Sequence, residues 1–245
     1  MPRYRLVISY DGTNYAGWQV QPGERTIQGE LERVLGNVTG NPVRIHCSGR
    51  TDSGVHARAQ VAHVDLEAVS FPGKLQRSMN ALLESDIRIM HLRRVRADFH
   101  ARYDAVGKEY RYYIWNGPVL APFLARYRLH VRHRLDTDHM QHAASLLVGE
   151  HDFAAFSANP NREIDGTCRI LYGLDIRRRG HEIMITARGN GFLYKMVRSL
   201  AGYLVRVGSG ALPPESAQSI LASRIRTARV PTAAGKGLFL WRVQY

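Results

Sequence analysis

The chain has 245 residues, 44% of them hydrophobic, enough for one large domain or two small ones and too many for a chain disordered throughout. Its 34 lysines and arginines stand against 21 aspartates and glutamates, and the resulting net charge of +13 points to a polyanionic partner, nucleic acid ahead of an acidic membrane surface. Two cysteines, Cys47 and Cys168, exclude a disulfide framework and a zinc ribbon, and no apolar run reaches the roughly 18 residues of a membrane span.

In chain order, "YRLVISY" (Tyr4–Tyr10) reads as a strand rather than part of a signal peptide, and the glycine-rich turn "DGTNYAGWQ" follows. Residues 26–38 place Ile27, Leu31, Val34, Leu35 and Val38 on one helical face. A strand over 43–48 leads into the polar connection "GRTDSGVHA", and "RAQVAHVDL" alternates again, with Ala59, Val61 and Val64 as apolar points. A second helix over 72–84 has Pro72 early and Leu75, Met79, Leu82 and Leu83 as its apolar positions. A strand over 87–95 closes the first half.

The second half opens with a strand over 107–116, "GKEYRYYIWN", then a proline-containing connection, "GPVLAPFLARYRLH". Asp136 is placed to cap a helix running to about Val148 and ended by Gly149. Residues 167–189 read as a hairpin turning near Gly180, 192–207 as a helix with Leu193, Met196, Val197, Leu200 and Leu204 at helical spacing, 214–223 as a shorter helix, and "GLFLWRVQY" as a closing strand. Each half reads β-α-β-β-α-β. The predicted class is α+β: two ferredoxin-like units in series, residues 1–105 and 106–245, with mainly antiparallel sheets and a central cleft suited to a nucleic-acid strand.

Asp52 is the first site candidate. A loop aspartate is ordinarily a turn former. Here Arg50 stands ready to hold it ionised, Gly49 and Gly54 let the backbone turn and leave room for a ligand, and His56 and Arg58 add donors suited to phosphate or sugar. One ionised carboxylate in a basic setting suits a nucleophile or a general base. Asp65 and Glu67, along the next strand, read as solvated. A metal reading of His46, Cys47, His56 and His63 fails on spacing, and His46 and Cys47 point to opposite faces of a strand. In "KEYRYYI", alternation puts Tyr110 and Tyr112 on one face and Tyr113 on the other. That is ordinary strand packing or, with Lys108 and Arg111 interleaved, a base-stacking platform. In "GNGFLYKMVRSLAG", Lys195 and Arg198 differ by three and share a helical face, either a solvated basic face or a carboxylate partner.

Together "GRTDSGVHA", "KEYRYYI" and "GNGFLYKMVR", in this order, resemble the tRNA pseudouridine synthase A family, as do "YDGTNYAGWQ" and "RTIQGELE". The resemblance runs from about Arg3 to the last strand. Two departures are visible: Ser53 stands where the family commonly has alanine, and "TAAGKGLFL" lacks a proline expected in a segment of the form Ala-Pro-Ala-x-Gly-Leu, which bears on the contacts of the last loop. The resemblance implies isomerisation of uridine to pseudouridine at positions 38, 39 and 40 of the tRNA anticodon stem-loop, without metal or other cofactor, by a homodimer; the two cysteines and the strand-like N-terminus suit a cytoplasmic protein. It makes Asp52 the catalytic aspartate, as nucleophile or as the base that gives a glycal. Arg198 becomes its basic partner, Tyr110 the tyrosine that stacks on the target base, and Arg50 a residue that holds RNA or fills the space left by the flipped base. Two rival readings remain. One is an RNA-binding module without chemistry. The other is a metal-independent glycoside hydrolase, which normally needs a second carboxylate. Arg177, Arg178 and Arg179 are open between an RNA grip and a solvated hairpin tip.

Overall fold

The structure, a computed structural model, describes residues 1–67, 71–158 and 166–245. The chain divides into two compact units, Met1–Val106 with Phe239–Tyr245, and Gly107–Leu238. The class is α+β with mainly antiparallel pairing, as the sequence implies.

Unit 1 runs β1 (Arg3–Tyr10), α1 (Ile27–Thr39), β2 (His46–Cys47), β3 (His56–Asp65), α2 (Pro72–Leu82), β4 (Ile87–Arg94). β1 lies between β4 and β3, antiparallel to both, and β2 adds antiparallel to β3. The order β4-β1-β3-β2 is that of a ferredoxin-like sheet. α1 starts where Thr26 accepts a hydrogen bond from the Gly29 amide (3.2 Å) and ends at Gly40, whose φ of 77° few other residues adopt. Its buried stripe of Ile27, Leu31, Val34 and Leu35 follows the predicted face, of which Val38 is only half-buried.

Three expectations for this unit shift. The strand over 43–48 shrinks to His46–Cys47, because side chains of α1 take the backbone of Ile45: Glu32 accepts from its amide (2.9 Å) and Gln28 donates to its carbonyl (3.1 Å). α2 stops at Leu82, since Leu83 turns extended (ψ 140°), and Leu82 is left 55% exposed. β3 begins two residues early and is buried on both faces over Val61–Val64, so its alternation is only partial.

Unit 2 runs β5 (Gly107–Asn116), β6 (Leu129–Val131), α3 (Thr137–Ser145), β7 (Gly149–Asp152), β8 (Cys168–Arg179), β9 (Glu182–Gly189), α4 (Met196–Gly208), α5 (Ser216–Ser223). Its sheet is ordered β5-β9-β8-β7, all antiparallel, with β6 parallel to β5. β5 matches its predicted bounds, and the β8–β9 hairpin turns at Gly180 (φ 57°). Asp136 caps α3 by accepting from the amides of Asp138 and His139 (2.9 and 3.0 Å). The helix ends at Ser145, and Gly149 (φ 112°) opens the unforeseen β7 instead of following a helix terminus. β6 sits inside the supposed connection.

α4 begins at Met196 rather than Phe192, because Lys195 takes a left-handed conformation (φ 57°) that no helix interior tolerates. Lys195 is thus outside the helix, and the predicted Lys195–Arg198 helical face does not exist. The closing strand β10 (Leu238–Gln244), read from sequence as the end of the second half, belongs to unit 1 from Phe239 onward. There Phe239 and Leu240 pair in parallel with His56 and Ala57.

Candidate active site

Asp52 lies half-buried on the connection between β2 and β3, outside any regular ladder. Its carbonyl accepts from the Val55 amide (3.1 Å), closing a turn that Gly54 completes with φ 72°. The preceding Thr51 is fixed at both ends: its carbonyl accepts from the Trp18 amide (3.0 Å), and its buried hydroxyl bonds the Tyr10 hydroxyl (2.8 Å). Ser53 Oγ donates to the Tyr15 carbonyl (3.2 Å), so the serine at this departure from the family pattern gains a bond alanine would lack.

The turn "DGTNYAGWQ" packs backbone to backbone on this loop. A Cβ at Gly17 (φ 95°) would stand 2.7 Å from the Thr51 carbonyl oxygen and 3.1 Å from the Asp52 carbonyl carbon; one at Gly12 would stand 2.0 Å from the Val55 oxygen. Tyr15 behind it is buried and donates to Asp86 (2.6 Å). Burial and that carboxylate push its hydroxyl well above the usual phenol range, so it stays protonated.

Arg50 is exposed, two residues before Asp52. Buried His56 stacks on Phe239 (ring centroids 4.6 Å apart), its Nδ1 3.1 Å from the Gly12 amide and 3.0 Å from Asp11 Oδ1. Arg58 is exposed and stacks over Trp241 (4.4 Å). Asp65 is not a merely solvated acid: Arg3 forms a two-pronged ion pair with it (2.7 Å each) and holds its carboxyl below the usual range.

Tyr110 and Arg198 belong to unit 2. Tyr110 pairs with Ala187 across the sheet, is 8% exposed, and meets Phe192 edge-on at 5.2 Å. Tyr112 shares its face, as alternation requires, but is fully buried and donates to the Ala234 carbonyl (2.8 Å). Burial drives its hydroxyl upward, against the opposing charge of Arg198. Tyr113, on the other face, lies under Arg128 (4.2 Å). Within "KEYRYYI", Tyr112 is thus part of the core and Tyr113 faces the other side, which leaves Tyr110 as the stacking candidate of that stretch.

Arg198 sits in the first turn of α4. Its Nε donates to the Ala233 carbonyl (2.8 Å) while the Ala233 amide donates to the Arg198 carbonyl (3.0 Å). Gly202 lets this last loop approach: a Cβ there would stand 2.1 Å from the Pro231 oxygen. The loop that lacks the expected proline is thus tied at Ala233 to Arg198 and at Ala234 to Tyr112. The structure brings Asp52 and Arg50 together on one loop and places Tyr112 and Arg198 around one loop of the other unit.

A family model described as tRNA pseudouridine synthase matches residues 6–104 and 143–245. A protein named tRNA pseudouridine synthase A from Brevibacillus brevis is 46% identical over 245 residues, covering all of both chains. Proteins of the same name are 45% identical in Halalkalibacterium halodurans (99% of this chain, 92% of that one) and 42% identical in Listeria monocytogenes (all of both chains). The chain belongs to the tRNA pseudouridine synthase family.

Several residues that hold the family motifs in place escape a sequence reading. Gln60 is fully buried: its amide donates to the Gly49 carbonyl (2.8 Å), and its oxygen accepts from Ser48 Oγ (2.7 Å) and the Val61 amide (3.2 Å), pinning the start of the Asp52 loop. A polar residue amid the apolar run "AQVAHV" was the available signal. Arg226 ties the last loop to α4, donating to Ser199 Oγ (2.9 Å) and Thr232 Oγ1 (2.7 Å). Nothing in its neighbourhood of sequence marks it.

Of the histidines weighed for a metal, His46 stacks on His63 (5.1 Å). His63 accepts from the Ala101 amide (3.1 Å), and burial lowers it to a pKa of about 4. Among the described residues no group of three or more His, Cys, Asp or Glu is arranged to hold a metal ion. No helix among them is long and apolar enough to cross a membrane.

Proposed function

We infer that this chain isomerises uridine to pseudouridine in tRNA, at positions 38, 39 and 40 of the anticodon stem-loop. The observation that carries this is the family match, supported by the position of Asp52 on a turn whose backbone is tied to Trp18 and closely approached by Gly12 and Gly17. A paired uridine must first leave the stack, because its glycosidic bond is out of reach within the helix. Asp52 then acts at the ribose, as nucleophile at C1′ or as the base that removes a sugar proton to give a glycal. The C1′–N1 bond breaks, the uracil turns, C5 bonds to C1′, the proton on C5 is lost, and N1 gains one. Mass is unchanged and no cofactor, metal or energy source enters.

Either role needs an ionised carboxylate. Arg198 is proposed as the basic partner that keeps Asp52 in that form, Tyr110 as the ring that stacks on the flipped uracil, and exposed Arg50 as the cation that holds the RNA or fills the vacated space. In this reading residues 1–105 supply the aspartate and residues 106–245 the tyrosine and its arginine. A tRNA substrate fits a cytoplasmic enzyme. The proposed homodimer lets one elongated tRNA engage two basic chains, and the strongly exposed Val119 and Phe123 offer apolar surface for a second copy.

The test is incubation with an unmodified tRNA transcript in EDTA, followed by nucleoside analysis. Pseudouridine at 38–40 with no mass change is expected. Binding without product would leave an RNA-binding module, and free uracil would mark a hydrolase.

A further inference from the structure

The proposed chemistry leaves two arginine-rich stretches of unit 2 unused: residues 126–134, "RYRLHVRHR", and the hairpin tip Arg177–Arg179. Separated by more than forty positions in sequence, they meet around one buried side chain. Asn116, 6% exposed, donates through Nδ2 to the carbonyls of Val131 (3.0 Å) and His133 (2.6 Å). Its Oδ1 accepts from the Leu135 amide (3.1 Å) and from Arg178 Nη2 (2.8 Å), which also donates to the Leu135 carbonyl (2.9 Å). The Asn116 amide donates to the His181 carbonyl (2.7 Å), fixing the far side of the tip. Of the three tip arginines, Arg178 is a structural tie.

We propose that the exposed Arg132, Arg134, Arg177 and Arg179 form one pre-organised surface that binds the phosphate backbone of the tRNA. The proposal rests on the reading of tRNA as substrate. Cross-strand pairing puts Arg178 opposite buried Ile183, so Arg177 and Arg179, opposite Met184 and Glu182, project together from the other face, the face that the 126–134 stretch also reaches where Trp115 lies opposite both Glu182 and His130. Two residues along a strand separate them by about 7 Å, the order of the spacing between neighbouring phosphates of one strand.

The acids nearby are already engaged. Arg128 takes Glu182 (2.6 Å), Arg188 pairs with Asp175, and Asp136 caps α3 while lying within electrostatic reach of Arg134. Among the described residues no ion pair or side-chain hydrogen bond holds Arg132, Arg177 or Arg179. A solvated tip needs no such lock, whereas a fixed backbone holds the arginines at set spacings, so their planar, two-pronged donors meet phosphates without first ordering the main chain.

Binding of a full-length unmodified tRNA transcript, measured across a salt series, tests this. Arg177→Gln/Arg179→Gln and Arg132→Gln/Arg134→Gln should each weaken binding on the order of tenfold and reduce the slope of log K against log salt by about 1 to 2. Arg33→Gln on α1, which removes a surface cation paired with Glu30 (2.8 Å), should change neither. Double variants with wild-type slopes, or an equal loss in Arg33→Gln, would overturn the surface. Pseudouridine formation by the wild type on the same transcript separates the two claims. Wild-type turnover with unaltered variant binding sinks the surface alone, whereas a wild type that neither binds nor reacts sinks the substrate reading with it.

Discussion

The connection that carries Asp52 and the elements that carry Tyr110 and Arg198 are held rigid by different means. Tyr110 sits mid-strand, with Lys108 to Trp115 all in register against β9, and Arg198 sits in a helical turn. Asp52 has no ladder. Its loop is fixed by two glycines whose backbones touch it, by the Tyr10–Thr51 bond and by buried Gln60. Precision on a regular element is spread over many equivalent backbone bonds, whereas precision on an irregular loop hangs on a few contacts that single substitutions remove.

That contrast can be broken or sharpened by substitution. Gly17→Ala should do most damage, because it combines a φ of 95° with a Cβ placed 2.7 Å from the Thr51 oxygen. The left-handed conformation alone costs roughly 1–2 kcal/mol, and the clash adds to it. A melting temperature lowered by several degrees and turnover reduced at least tenfold are expected, and a variant with wild-type kcat would show that the loop is not clamped there. Gln60→Leu removes the bonds that Gln60 makes to Ser48 Oγ and to the Gly49 carbonyl, at a cost of about 1–3 kcal/mol. Steady-state kinetics should show kcat falling while KM for tRNA stays close to wild type. A rise in KM alone would assign Gln60 to binding. Tyr112→Phe is the matched change on the ladder side, removing one bond to the Ala234 carbonyl, worth about 1 kcal/mol. Its kcat should stay within about twofold of wild type. If it loses as much turnover as Gln60→Leu, the two regions do not differ as described.

The same contrast explains what the sequence disclosed. Periodicity locates elements whose buried faces repeat, so β1, α1, β5 and the β8–β9 hairpin fall where they are expected. It fails where the backbone bonds to side chains, as at Ile45, and where a residue takes an unfavourable φ, as Lys195 does at the start of α4. It is blind to pairing between distant segments, which is why β6, β7 and the placement of β10 were missed. The candidate site residues were legible as motif members, since Asp52, Tyr110 and Arg198 stand inside distinctive strings. Their supports were harder to read, because they act through bonds across 11 (Gln60), 41 (Tyr10) and 27 (Arg226) positions: Gln60 stands out only as a polar residue in an apolar run, and nothing local marks Tyr10 or Arg226.

The most direct test of the central claim is tritium release from a tRNA transcript labelled at uracil C5, with wild type and Asp52→Asn side by side in EDTA and tRNA binding measured for both. The account predicts release by the wild type, background release by Asp52→Asn, and binding by both. Release by the variant at a rate comparable to wild type would remove Asp52 from the chemistry.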